Sequence, residues 1–116
     1  GLVADQNVRS GGVFVDFFGV PASTPRGPGL LALRTGAAVV TLMCLREPGP
    51  RSRYRVHFEE VPVPAADDPE EAIRQVMESC TRILERYVRA APEQYFWFHK
   101  RWKTRPSQEP SPSTDV

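Results

Sequence analysis

The sequence predicts an α/β fold in which a mixed β-sheet of about four strands carries one long C-terminal helix and shorter helices. Runs rich in β-branched and aromatic residues occupy positions 13–18, 37–45 and 53–60, as is typical of strands. From Ile73 to Val88, apolar residues instead recur at helical spacing. Strands separated by a helix usually become parallel neighbours, and a hairpin adds an antiparallel pair. Together these patterns favour a mixed sheet.

The N-terminal part of the chain is expected to contain two strands and a short helix. Residues 2–4 are apolar and residues 5–7 are polar, which predicts a buried strand followed by a loop. Residues 13–18 form the second predicted strand, which a glycine and a proline close. A short helix over 30–33 is expected to end near Gly36.

The middle of the chain predicts a β-hairpin. Residues 37–45 are continuously apolar, so we expect a strand buried on both faces. Proline and glycine in residues 46–52 indicate a turn. Residues 53–60 then alternate polar with apolar side chains, and the apolar face would contain Tyr54, Val56 and Phe58.

A long helix is predicted after the hairpin. Asp68 suits the N-cap and Pro69 the first helical position, and two acidic residues follow in the first turn. A shorter helix is expected over 92–97. Proline, serine and polar residues dominate 107–116, so we predict a disordered tail there and a structured part over residues 1–106.

Composition excludes several classes of function. The 116 residues have a formal net charge of +1, so bulk electrostatics does not indicate a nucleic-acid partner. The longest apolar runs fall far below the roughly 20 residues that span a bilayer. Cys44 and Cys80 lack CxxC spacing, which favours two buried free thiols, although a disulfide between them stays possible. No metal or cofactor site is predicted.

Four segments carry a family signature when they are taken in order. Residues 91–106 read APEQYFWFHKRWKTRP, and upstream stand ADQN at 4–7, VFVDFFG at 13–19 and LALRTGA at 31–37. This ordered set resembles the late acyltransferases of lipid A biosynthesis, the lauroyl and myristoyl acyltransferase family within the lysophospholipid acyltransferase-like superfamily. Each segment alone is weakly specific, whereas the ordered set is specific.

The resemblance covers about residues 2–106 and implies a partial fold of the glycerolipid-acyltransferase type. It also implies transfer of a fatty acyl chain from acyl carrier protein or acyl-CoA to a lipid A precursor or related glycolipid. The implied location is the cytoplasmic face of the bacterial inner membrane. No cofactor is implied.

The family's catalytic motif is a histidine followed, after four residues, by Asp or Glu. The imidazole takes a proton from a weak hydroxyl nucleophile, and the carboxylate orients it. In this sequence, Pro62 stands five residues after His57, and Thr104 stands five after His99. We therefore expect the dyad upstream of Gly1, on a larger protein whose N-terminal segment could also anchor it. By itself this 116-residue piece is expected to contain no catalytic residue and to be inactive.

Five residues are candidates for binding substrate or for supporting the site. Asp5 and Gln6 match the region where the wider fold has a substrate-phosphate motif, although a solvated turn acid is the simpler interpretation. Asp16 interrupts an apolar strand, so it either faces solvent or meets an arginine. Arg34 suits a phosphate or carboxylate, or else is a helix-terminal cation. Thr24 precedes helix amides that could receive an anion.

The segment 97–105 mixes aromatic and basic residues. The composition suits a membrane interface, single-stranded nucleic acid, or aromatic residues that close the core beneath solvated cations. A non-catalytic binding module is therefore the alternative function, although we expect no nucleic-acid partner. His99 is interpreted as structural. By the resemblance, Arg101 also counts as substrate-supporting, and the membrane-interface candidates are Trp97, Lys100, Trp102, Lys103 and Arg105.

Overall fold

A computed structural model describes residues 1–107 and confirms the α/β class. The described elements, in chain order, are strands β1 (Val13–Phe17) and β2 (Val20–Thr24), helix α1 (Gly27–Thr35), strands β3 (Val39–Arg46) and β4 (Tyr54–Val61), helix α2 (Pro69–Ala90), and a 3₁₀ turn at Pro92–Gln94. The predicted disordered tail, residues 107–116, lies outside the described residues apart from Ser107.

The described strands form two separate antiparallel pairs, β1–β2 and β3–β4, instead of one mixed four-stranded sheet. In the β1–β2 turn, Phe18 and Gly19 have positive φ angles of 53° and 76°, as a two-residue type I′ hairpin requires. Strand β2 was not predicted because it contains Pro21, which cannot donate to a ladder. A two-stranded pair tolerates the proline, since its missing N–H can face away from the partner strand.

Two predictions about the N-terminal strand and β3 were wrong. Residues 2–4 form no strand, and Leu2 and Val3 are largely exposed. Burial alternates along β3, so that Leu42 is 57% exposed. The physical reason is shared: the described residues provide no ladder partner for residues 2–4 and no layer over the outer face of β3.

The predicted hairpin is confirmed, with Leu42 opposite Phe58 and Cys44 opposite Val56. Tyr54, Val56 and Phe58 share one face as expected, and this face is exposed. The cysteines are both free, Cys44 exposed and Cys80 half-buried. The expectation of two free thiols is thus met, whereas the burial expected for Cys44 is not.

Helix α2 is the centre of the fold, packed against β1, α1 and β3–β4. Its predicted start is confirmed, because the Asp68 carboxylate accepts a hydrogen bond of 3.0 Å from the Glu70 N–H. The predicted apolar stripe packs inward, and Val76 and Met77 form the core together with Val15 and Val61. The helix thereby presents one continuous face to both strand pairs.

Helix α1 packs closely across α2 at Gly29. A Cβ atom on Gly29 would lie 3.1 Å from the carbonyl oxygen of Ile73. The helix ends as predicted at Gly36, which adopts a left-handed conformation and donates its N–H to the Ala32 carbonyl at 2.9 Å. The predicted helix over 92–97 is only the 3₁₀ turn Pro92–Gln94.

Candidate functional site

Two adjoining grooves lie between α2, β3 and the N-terminal residues. The large groove has a volume of about 800 Å³ and is walled mainly by apolar side chains of residues 1–4, α1, β3 and α2. The small groove has a volume of about 260 Å³ and lies among β3, the end of α2 and the segment 91–99. The larger volume falls in the range of small-molecule sites.

Asp5 lines both grooves and therefore stands at their junction. Among the described residues that line the large groove, Asp5 and Arg101 are the charged ones. Gln6 lines the small groove beside Tyr95 and His99. The predicted pair Asp5 and Gln6 is thus at the grooves, and both side chains are exposed.

Arg101 is buried to an unusual degree for a charged residue, with 2% of its surface exposed. Its Nη1 donates to the Ser23 carbonyl at 2.8 Å, and its Nη2 donates to Thr24 Oγ1 at 2.6 Å. The guanidinium stands 5.7 Å from the centre of the Phe17 ring. Two of its five N–H donors are thereby used.

The charge of Arg101 has no contacting carboxylate within 4.0 Å in the part of the chain that the structure describes, and its Nε has no hydrogen-bond partner there. Burial lowers the pKa of this guanidinium, while Tyr95 and Asp5 act in the opposite direction. Burial also disfavours the charged form of Tyr95 and so raises the pKa of its hydroxyl, and the negative charge of Asp5 raises it further. An unneutralised buried cation is costly, which makes its surroundings a candidate for binding an anionic or oxygen-rich group.

Three hydrogen bonds around Asn7, which we call the Asn7 clasp, join the start of the chain to its C-terminal segment. The Asn7 backbone N–H donates to His99 Nε2 at 2.9 Å. The Asn7 Nδ2 donates to Thr104 Oγ1 at 3.0 Å, and its Oδ1 accepts from the Thr104 N–H at 3.2 Å. Sequence reasoning missed Asn7 and Thr104 as site residues, because nothing local indicates their pairing. The Nε2 of His99 is thus the acceptor of a backbone hydrogen bond.

The other predicted site residues divide between the groove region and the surface. Thr24 is fully buried and receives Arg101 instead of standing free at a helix terminus. Asp16 faces solvent, which is the first of the two alternatives expected for it, exposure or pairing with an arginine. Arg34 is exposed in the last turn of α1 and lines neither groove.

The aromatic and basic residues of the segment 97–105 are likewise divided between packed and exposed positions. Trp102 packs inside, stacked on Phe17 with ring centres 5.2 Å apart, and its Nε1 donates to the Phe17 carbonyl at 3.2 Å. Phe98 is 90% exposed. We call the exposed members of this segment, together with exposed Phe96 just before it, the aromatic-basic strip: Phe96, Trp97, Phe98, Lys100, Lys103 and Arg105.

Along residues 1–107, no helix combines the length and the apolar character needed to cross a bilayer. In the same range, the rings of His57 and Tyr87 lie 5.2 Å apart between centres, and the position five residues after His57 is Pro62, not an acid. The described residues therefore offer grooves, a carboxylate and a buried cation, without an identified general base.

Comparison with known proteins gives one family. Residues 1–104 match the model of the bacterial lipid A biosynthesis acyltransferases. The lipid A biosynthesis lauroyltransferase of Escherichia coli (strain K12) is 34% identical over 108 residues, which cover 92% of this chain and 34% of that protein. The palmitoleoyltransferase of the same strain is 34% identical over 104 residues, covering 89% and 32% of the two chains.

A shorter match involves a different acceptor. The phosphatidylinositol mannoside acyltransferase of Mycobacterium tuberculosis (strain ATCC 25618 / H37Rv) is 46% identical over 43 residues, which cover 37% of this chain and 14% of that protein. The chain spans about a third of the length of the lipid A relatives, at 34% and 32% of the two proteins.

Proposed function

This chain belongs to the bacterial lipid A biosynthesis acyltransferase family, and on that premise we propose that it shapes the substrate-holding part of an acyltransferase site. The reaction proposed is transfer of a fatty acyl chain from acyl carrier protein or acyl-CoA to a lipid A precursor or related glycolipid. The observation that carries the proposal is the position of Asp5 at the junction of the two grooves, with buried Arg101 lining the larger one.

The grooves suit the two parts of such a reaction. The apolar walls of the large groove would hold the acyl chain, since hydrocarbon leaves water at a gain of about 0.8 kcal/mol per CH₂. The more polar small groove would hold oxygen-rich groups near Gln6 and Tyr95. The reacting carbonyl would then lie near Asp5, where the grooves meet.

The general base would come from outside these 116 residues, because neither histidine has an acid at the family's spacing. At the junction, Asp5 would orient that imidazole or a basic group on the acceptor. We therefore propose that the 116-residue chain produced alone transfers no acyl groups, and that its sheet pairs gain further strands in the whole protein.

Acyl transfer by the protein as its gene encodes it tests the proposal. Replacing Asp5 by Asn keeps the size of the side chain and removes its charge, and we expect kcat to fall by about a hundredfold or more. Asp67→Asn is the matched control, because Asp67 is exposed and lines neither groove. Equal activity of Asp5→Asn and the control would show that Asp5 is not part of the site. Acyl transfer by the 116-residue chain alone would refute the proposal that the general base lies outside it.

The aromatic-basic strip supports a second element of the proposal, attachment to the cytoplasmic face of the inner membrane. Exposed aromatic rings settle at headgroup depth, and each nearby cation adds about 1 kcal/mol on anionic lipid. Phe98 is 90% exposed and Lys100 and Lys103 lie close to it in the chain. The strip alone could also make the chain a non-catalytic module for anionic surfaces.

Sedimentation with lipid vesicles distinguishes these possibilities. Binding to phosphatidylglycerol vesicles should exceed binding to phosphatidylcholine vesicles, and it should weaken as salt rises. Phe98→Ser should reduce it, whereas Thr35→Val, on the exposed end of α1, should not. Equal binding to both lipids would contradict the membrane role, and tight binding to a single-stranded oligonucleotide would favour the alternative partner.

A further inference from the structure

The backbone around Asp5 is held by the packing of Ala4 against the core and by hydrogen bonds of Asn7. Residues 1–12 contain no helix or strand, and within the described residues neither Asp5 nor Gln6 makes a hydrogen bond of its own. The backbone of this loop is held by the Asn7 clasp and by a longer contact of 3.4 Å from the Val8 N–H to the Ser23 carbonyl. The clasp thus supplies the main hydrogen bonds that hold the loop on the C-terminal side of Asp5, while Ala4 packs against the core on its N-terminal side.

The C-terminal segment, in contrast, is anchored without the clasp. Arg101 donates to Ser23 and Thr24, and Trp102 stacks on Phe17 and donates to its carbonyl. Loss of the clasp would therefore loosen the loop between Asp5 and Asn7 and leave the segment in place. The hydrogen bonds of His99 and Thr104 to Asn7 therefore restrain the N-terminal loop more than they restrain the C-terminal segment.

We propose that Asn7, His99 and Thr104 are positioning residues that hold the Asp5 carboxylate at the junction of the grooves. The inference rests on the proposed function, because it assigns the clasp to the acyl-transfer reaction. The two side-chain bonds fix the orientation of the Asn7 amide, and the bond to His99 fixes its backbone. A displacement of about 1 Å at a reacting group costs up to about a hundredfold in rate, so a loosened loop should slow the reaction step itself.

The test uses Thr104→Val, which keeps the shape of the side chain and removes its hydroxyl. In the protein as its gene encodes it, we expect kcat to fall about ten- to a hundredfold, with each substrate's KM and the melting temperature nearly unchanged. Thr104→Ser, which retains the hydroxyl, should recover most of the activity. Thr35→Val is the matched control, since the Thr35 hydroxyl donates to the Leu31 carbonyl at 2.7 Å in an exposed position.

A second pair of variants covers the case in which Thr104→Val does not fold. His99→Gln supplies an acceptor oxygen close to the position of Nε2, whereas His99→Leu has none. Amide hydrogen exchange should show faster exchange at Asn7 in His99→Leu than in the wild type, with His99→Gln in between. Unchanged amide exchange at Asn7 in His99→Leu would overturn the clasp, whatever the activity of the wild type. Absence of acyl transfer by the wild type would refute only the proposed function. A lower melting temperature with unchanged kcat would reduce the clasp to a structural role.

Discussion

At the scale of single residues, Arg101 is the most consequential side chain in the described chain. It is 2% exposed, and it holds the end of β2 through the Ser23 carbonyl and the Thr24 hydroxyl. Because no contacting carboxylate neutralises it in residues 1–107, each of its hydrogen bonds matters more than an ordinary one. Deleting Arg101 would therefore disturb the fold around β2 directly.

Thr24→Val probes the arginine without removing the charge. The variant keeps the shape of the side chain and removes the acceptor of the 2.6 Å bond from Nη2. Since bonds to charged groups are worth about 1.5–3 kcal/mol, we expect the free energy of unfolding to fall by that amount, measured by urea denaturation. Thr35→Val, at an exposed position, should change it by less than about 0.5 kcal/mol. Equal effects of both variants would show that Thr24 contributes only shape.

At the scale of elements, α2 is stabilised on its solvent side by a ladder of ion pairs. Arg74 bonds Glu71 at 2.7 Å and Glu78 at 2.9 Å, and Arg82 bonds Glu78 at 2.7 Å. The hydrogen bonds from Arg74 and then Gln75 lower the pKa of Glu71 from 4.5 to about 2. Glu71, Arg74 and Glu78 are half-buried at the surface and Arg82 is exposed, so each pair contributes modestly and is screened by salt.

The lowered pKa of Glu71 predicts a pH dependence with a definite sign. The folded state favours the ionised carboxylate, so its stabilisation is complete above pH 4.5 and is lost as the pH falls toward 2. The stability difference between wild type and Glu71→Gln should accordingly be largest above pH 4.5 and vanish near pH 2. Thermal unfolding across this range measures it, with Glu93→Gln as an exposed control. A difference that grows on acidification would contradict the assignment.

The crossing of α1 and α2 yields a prediction about packing. In Gly29→Ala, the new Cβ would lie 3.1–3.2 Å from atoms of Ile73, and the helices would have to separate. We expect a loss of about 1–3 kcal/mol in the free energy of unfolding. In Gly27→Ala the nearest neighbour of the new Cβ is the Leu2 side chain at 4.0 Å, so the change should stay within about 0.5 kcal/mol. Denaturant midpoints of the two variants compare them, and similar losses would argue against close helix packing.

At the scale of the whole molecule, the large groove brings together surfaces that lie far apart in the chain. Residues 1–4, α1, β3 and α2 all contribute to its walls. The outer face of the β3–β4 hairpin is apolar and exposed at Leu42 and Phe58, which also line this groove. An acyl chain in the groove would cover part of that surface.

Cys80 would report on an acyl chain because it lines the large groove, whereas Cys44 is exposed on β3 and lines only the small groove. Burial raises the pKa of the Cys80 thiol, so its alkylation should be slower than that of Cys44. Laurate should slow alkylation of Cys80 several-fold further and leave Cys44 nearly unaffected, as peptide mass spectrometry would measure. Acetate, which lacks the apolar chain, should protect neither thiol. If laurate leaves the alkylation rate of Cys80 unchanged, the acyl chain does not bind in the large groove.

Local patterns were sufficient for the parts of the fold that short segments specify. The Asp68 cap, the α2 stripe and the β3–β4 hairpin each depend on residues close in sequence, and all three are confirmed. The same holds for family membership, because the signature segments occur in a fixed order. Strand β2 and residues 2–4 departed from expectation because pairing partners and layers, which lie elsewhere in the chain, decide them.

The candidate site depends on distant pairs. The sequence by itself determined helices α1 and α2 and the β3–β4 hairpin, and it indicated Asp5, Thr24 and Arg101 as candidate site residues. Only the tertiary structure paired Thr24 with Arg101 across 77 residues and Asn7 with Thr104 across 97. Such contacts leave no periodic or capping signal in the sequence, because they form only when packing brings both chain regions against the same end of the strands.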